Sequence, residues 1–77
     1  MSASDEIDAR GLKCPLPVLK AEKALDQLAP GGTLRVIADD PIARIDIPLM
    51  CRKAGHECTV EEITDALSFT ITKKVSN

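Results

Sequence analysis

Ile7 and Ala9 alternate with Glu6, Asp8 and Arg10, which predicts a short strand with one wet face. Val18, Ala21, Leu25 and Leu28 then recur at helical spacing, with Lys20, Glu22, Lys23 and Asp26 largely off that stripe. Pro30-Gly31-Gly32 ends this first helix. Thr33 to Ala38 reads as a strand with Leu34, Val36 and Ala38 on one face and Arg35 and Ile37 on the other. Asp39-Asp40-Pro41 follows as a strand-to-helix turn. Ile42, Ile45, Leu49 and Met50 suggest a second helix, which Pro48 would break if it began at Pro41. The expectation is a helical turn near 41–45, then a main helix from about Asp46, with Gly55 just past its end. His56 to Ile63 and Leu67 to Thr72 form two last strands around a Thr64-Asp65-Ala66 turn. Leu67, Phe69 and Ile71 alternate there with Ser68, Thr70 and Thr72.

This order predicts an α+β fold, a two-layer βαβαββ sandwich with two helices on one face of a four-stranded mixed sheet. Crossover connections make the first three strands parallel, and the final hairpin reverses the fourth. The first two strands then end at one sheet edge. That brings Cys14 close to the Asp39-Asp40-Pro41 turn, where open sheets commonly bind ligands.

Length sets the scale: 77 residues read as a single domain over 1–77, with an ordered core of about 6–74, near the lower limit for a self-sufficient core. Phe69 is the one aromatic residue, so Leu, Ile, Val and Ala must fill most of the interior. A net charge of −2 gives no field attractive to a phosphate backbone, so no direct nucleic-acid partner is expected. No apolar run approaches bilayer length, and the short, acidic N-terminus does not resemble a signal peptide. A cytoplasmic location follows as the expectation, with no membrane partner and three reduced cysteines.

The chemistry concentrates in Arg10-Gly11-Leu12-Lys13-Cys14-Pro15-Leu16-Pro17. Proline suits a first helical turn, so Pro15 and Pro17 read as first-turn residues that fix the turn, with Cys14 at the N-cap. That place normally goes to Ser, Thr, Asp or Asn, so holding a sulfur there gives up a good cap. A helix N-terminus favours negative charge, and Arg10 and Lys13 add to it while Asp39 and Asp40 oppose it if they come close, which predicts a moderately activated, solvent-reachable nucleophile. Gly11 permits the sharp approach. His56 should lie at the opposite sheet edge, so a Cys–His dyad is not expected. An activated thiol without a general base suits group transfer between sulfurs better than hydrolysis.

Asp8-Ala9-Arg10-Gly11-Leu12-Lys13-Cys14-Pro15-Leu16-Pro17 resembles the Cys-Pro-x-Pro signature of the TusA (SirA-like) family of small sulfur carriers. The resemblance continues through Ala38-Asp39-Asp40-Pro41, Asp46-Ile47-Pro48 and Gly55-His56-Glu57, and covers about Ile7 to Lys74. It implies the same βαβαββ fold and a sulfurtransferase role. Cys14 would take a persulfide from a cysteine desulfurase or rhodanese-like donor and pass it to a downstream acceptor protein. In one branch the relay ends in tRNA 2-thiouridine; others serve sulfur oxidation or are linked to molybdenum cofactor and selenium metabolism. Leu16 departs from the Glu of the tRNA-thiolation branch. No cofactor is implied beyond the covalent persulfide on Cys14.

Other groups read more plainly. Cys51 and Cys58 lack the close spacing of a structural zinc site, so no metal is expected and packing explains both. Lys20 and Lys23 read either as a solvated helix face or, with Asp40, as a partner-binding surface. Helix capping explains Asp40 and Asp46 before acid–base work does. Lys73 and Lys74 look like a solubilising tail. Two other readings compete with a sulfur carrier: a nucleic-acid-binding or regulatory module, and a redox or metallochaperone thiol protein.

Overall fold

The computed structural model describes residues 4–75, so the first three residues of the N-terminal stretch lie outside it. Six elements follow in order: β1 (Ser4–Asp8), α1 (Leu16–Gln27), β2 (Thr33–Ala38), α2 (Ala43–Ala54), β3 (Glu57–Ile63) and β4 (Ala66–Thr72). The strands form one sheet in the order β1-β2-β4-β3. β1 runs parallel to β2, while β4 is antiparallel to both β2 and β3. The first three strands therefore point one way and the fourth is reversed, as the crossover argument requires.

Alternation decides the layers. Leu34, Val36 and Ala38 of β2 and Leu67, Phe69 and Ile71 of β4 are buried, facing Ala21 and Leu25 of α1 and Ala43, Ile47 and Cys51 of α2. Val36 pairs with Phe69 and Leu34 with Ile71, so the strand register stacks the largest side chains at the centre. Burying a side chain the size of Phe69 contributes roughly 1.5–3 kcal/mol. The helix-free face of the sheet is polar, with Arg35 donating to Ser68 Oγ at 2.8 Å and reaching Glu6 at 3.3 Å.

The second helix differs from expectation twice. It is continuous from Ala43, with Pro48 inside it. The turn expected at 41–45 runs straight on, because Ala43, Arg44 and Ile45 each donate three residues back and Asp46 donates to Ile42. Pro48 then removes only the bond to the Arg44 carbonyl, close to the helix start. Its buried stripe is also shifted: Ala43, Ile47 and Cys51 face the sheet, while Ile42, Ile45 and Leu49 stand in water.

Both helix C-termini close at the far end of the sheet. Gly55, at φ +83°, ends α2 in the left-handed conformation, and the His56 N–H reaches the Cys51 carbonyl at 2.8 Å. Lys73 is no solubilising tail. Its Nζ donates to the Leu25 and Leu28 carbonyls at 2.6 and 2.7 Å and so closes the end of α1, where the Leu25 carbonyl also accepts the Leu28 N–H. Among the described residues, no helix is long and apolar enough to cross a membrane.

Candidate functional site: a thiol held by a carboxylate

Two loops leave the same sheet edge, one after β1 and one after β2, and three aspartates tie them together. Gly11 takes φ +83°, a conformation that favours glycine, and its N–H donates to Asp39 Oδ1 at 3.0 Å. The Cys14 N–H donates to Asp40 Oδ2 at 2.6 Å, and the other oxygen of Asp40 accepts the Ile42 N–H at 3.1 Å. One carboxylate thus anchors the cysteine loop and opens α2. The Ile42 and Cys14 N–H groups hold the Asp40 carboxyl below its ordinary pKa, against the cost of burial, and Lys13 adds a smaller pull in the same direction.

Cys14 is exposed, but it is not the helix N-cap. The Leu19 N–H donates to the Pro15 carbonyl at 3.0 Å, which makes Pro15 the cap and leaves Cys14 one residue outside. Pro17 is buried in the first turn. The Cys14–Pro15 peptide is cis.

The third aspartate changes the electrostatics. Cys14 Sγ donates to Asp46 Oδ2 at 2.8 Å, across from the first turn and a half of α2. This hydrogen bond raises the thiol pKa, helped by partial desolvation and the charges of Asp46 and Asp40. The expected activation of Cys14 is therefore reversed at rest: the sulfur is a held thiol. Arg10 does not offset this. Its Nε and Nη2 both reach Asp8 at 2.9 Å, and that bidentate pair holds the Asp8 carboxyl down to about 2. Lys13 is exposed on the cysteine loop.

Both helices next to the cysteine loop leave apolar side chains uncovered. Leu16 and Leu19 of α1 and Ile42, Ile45 and Leu49 along α2 are exposed, Ile45 by 65 %. Between the helices runs an open groove of about 410 Å³, whose lining includes Pro15, Val18, Asp46, Leu49 and Met50.

The remaining expected site residues lie elsewhere. Asp40, expected at a partner surface, is only 8 % exposed and both its oxygens are occupied by backbone donors. Lys20 and Lys23 are exposed and line a separate hollow with Asp5, Ile7 and Gln27. His56 accepts the Lys74 N–H at Nδ1 at the far end of the sheet, where burial and the Lys74 and Lys73 charges lower its pKa. Cys51 is buried under α2, and desolvation first, then its neighbour Cys58, pushes its thiol up to about 12. Among the described residues, no three His, Cys, Asp or Glu side chains gather as a metal site would require.

A family model described as Sulfurtransferase TusA matches residues 5–73. The chain belongs to the TusA family. It is 48% identical, over 56 residues, to the sulfur carrier proteins TusA of Pseudomonas paraeruginosa and Pseudomonas aeruginosa. Those matches cover 73% of this chain and 71% of each relative. The crystal structure of a SirA-like protein from Desulfitobacterium hafniense is similar at a TM-score of 0.82 and 32% identity, covering 91% of this chain and 97% of that one. Within this TusA-family chain, Asp46 is the site residue that sequence reasoning missed. The available signal was its place at the start of α2, beside the turn already expected to approach Cys14.

Proposed function

We propose that this chain is a sulfur carrier that takes a persulfide onto Cys14 from a cysteine desulfurase or rhodanese-like donor and yields it to an acceptor protein. The observation that carries this reading is the placement of Cys14: exposed, on a loop anchored by Asp39 and Asp40, between two helices that leave aliphatic side chains uncovered. A sulfur that must meet two partner sulfurs in turn needs such access. The uncovered Leu16, Leu19, Ile42, Ile45 and Leu49 offer apolar area that both partners can cover, excluding water on docking. Lys20 and Lys23 give an acidic partner a second hold further along α1.

The protein acts as a sulfurtransferase through docked partners rather than by turnover of a free substrate. It works in the cytoplasm, where thiols stay reduced. Leu16, next to the loop that bears the sulfur, departs from the Glu of the tRNA-thiolation branch and biases which acceptor is used. Nucleic-acid binding gains no support from the surface, since Phe69 is fully buried and no stacking platform remains. Incubation with a cysteine desulfurase and radiolabelled cysteine tests the proposal. The unaltered chain should take up label that free thiol removes, and Cys14→Ser should take up none. Equal labelling of Cys14→Ser would overturn it.

A further inference from the structure

We propose that Asp46 acts directly on the reacting sulfur: its carboxylate holds the empty carrier as a protonated thiol and repels the same sulfur once it is loaded, so that cargo is kept loosely. The inference rests on the sulfur-carrier reading of Cys14.

The geometry carries it. Sγ and Asp46 Oδ2 are 2.8 Å apart. An ionised carboxylate has only acceptors, so this contact forms with a thiol that still owns its proton. When the proton goes, two negative groups face one another at hydrogen-bond distance, and like charges that close disfavour ionisation. The charged groups near the sulfur come from three segments, with carboxylates the causes that act on it directly. From α2 comes Asp46; from the β2–α2 turn come Asp40, whose charge adds to the effect, and Asp39, which is bound to the Gly11 N–H. On its own loop, Lys13 acts on Asp40 and Arg10 is paired with Asp8. Glu22 and Lys53, of opposite sign, line the groove further along.

Transfer makes the charge change unavoidable. Sγ attacks the outer sulfur of the donor's persulfide anion, an S–S bond forms at Cys14, and the donor's own S–S bond breaks. The electron pair leaves on the donor's inner sulfur, which takes the proton that Cys14 gives up. The products are a donor thiol and a Cys14 persulfide anion, with no external oxidant. Persulfides are more acidic than thiols, so the loaded carrier is anionic where the empty one was neutral. Asp46 therefore stabilises the empty state and destabilises the loaded one. The terminal sulfur sits one bond further out, about 2.05 Å, toward an incoming acceptor.

Asp46→Asn tests this with two readouts, since the amide keeps the shape and can donate to an anionic sulfur. Alkylation of Cys14 across pH, followed by peptide mapping, should show ionisation about one unit lower, or roughly tenfold more thiolate near neutrality. The loaded persulfide should survive longer against a small thiol acceptor, and Asp46→Glu should restore the unaltered behaviour in part. Unchanged ionisation together with unchanged persulfide lifetime would overturn the inference. Should Asp46→Asn fail to fold, Cys14 titrated in the native chain and again in urea decides: a higher native value supports the hold, and equal values refute it. The thiol titration needs no loading, so a native chain that never loads would sink the carrier reading separately.

Discussion

Cys14 and the Cys51–Cys58 pair carry the same functional group, and both regions keep their sulfurs protonated, yet by opposite means. Cys51 is protonated because it is dry: α2 packs it against the sheet, and desolvation is the leading cause of its shift. Cys14 is exposed, and its leading cause is one hydrogen bond to Asp46. A partner that docks over the loop can alter that bond, whereas nothing short of unfolding changes the burial of Cys51. Protonation at rest therefore does not separate the exposed cysteine from the buried one. What separates them is whether the restraint can be lifted from outside.

The sharpest way to break this contrast is to move the substitution. Cys51→Ser and Cys58→Ser should still load sulfur from a desulfurase at close to the unaltered level, and loss of labelling in either would bring the core pair into the relay. Stability should respond the other way. Cys51→Ser buries a hydroxyl in an apolar site, which costs about 1–3 kcal/mol in urea unfolding, while Cys14→Ser should unfold with the unaltered chain.

Alkylation with iodoacetamide sharpens the comparison further. Cys14 should react first, Cys58 more slowly, and Cys51 only as the chain opens, with the Cys14 rate still rising above the ordinary thiol pKa. The core pair should also answer to alkali. The unfolded Cys51 ionises near its ordinary value and the folded one near about 12, so its contribution to stability is full below the ordinary value and is lost as pH climbs between the two. Thermal melts followed upward from pH 8 check this.

Acid gives the smallest effect, and it falls on the other region. Asp40 has a lowered pKa, so its stabilisation is present above the ordinary carboxylate value and is lost as pH falls through the folded one. Amide exchange at Cys14 and Ile42, corrected for its intrinsic pH dependence, should lose protection below about pH 4 before the β2 and β4 amides do.

Much of this architecture is legible in the sequence, for particular reasons. Alternation in Leu34-Arg35-Val36 and Leu67-Ser68-Phe69 is unambiguous about faces, and Gly55 marks the end of α2 because few other residues take its conformation cheaply. The register of α2 is not legible. Ile42-Ile45-Leu49 and Ala43-Ile47-Cys51 are both helical stripes, and spacing alone does not say which one the sheet takes. The sheet takes the stripe with the smaller side chains, Ala43 and Cys51 about Ile47, and leaves Ile42, Ile45 and Leu49 exposed. The exposure of Cys14 and its approach to the Asp39-Asp40 turn were legible from its motif and the strand order. Its hold by Asp46 was not, because that bond joins residues 32 apart and depends on the rotation of α2. Lys73 escaped notice for the same reason: its reach to Leu25 and Leu28 is a product of tertiary proximity.

Mass mapping of the loaded chain tests the account most directly. After incubation with a cysteine desulfurase and cysteine, and blocking of exposed sulfurs, the peptide bearing Cys14 should gain the mass of one sulfur atom and lose it on treatment with a thiol. Added sulfur on the Cys51 or Cys58 peptide, with Cys14 unmodified, would contradict it.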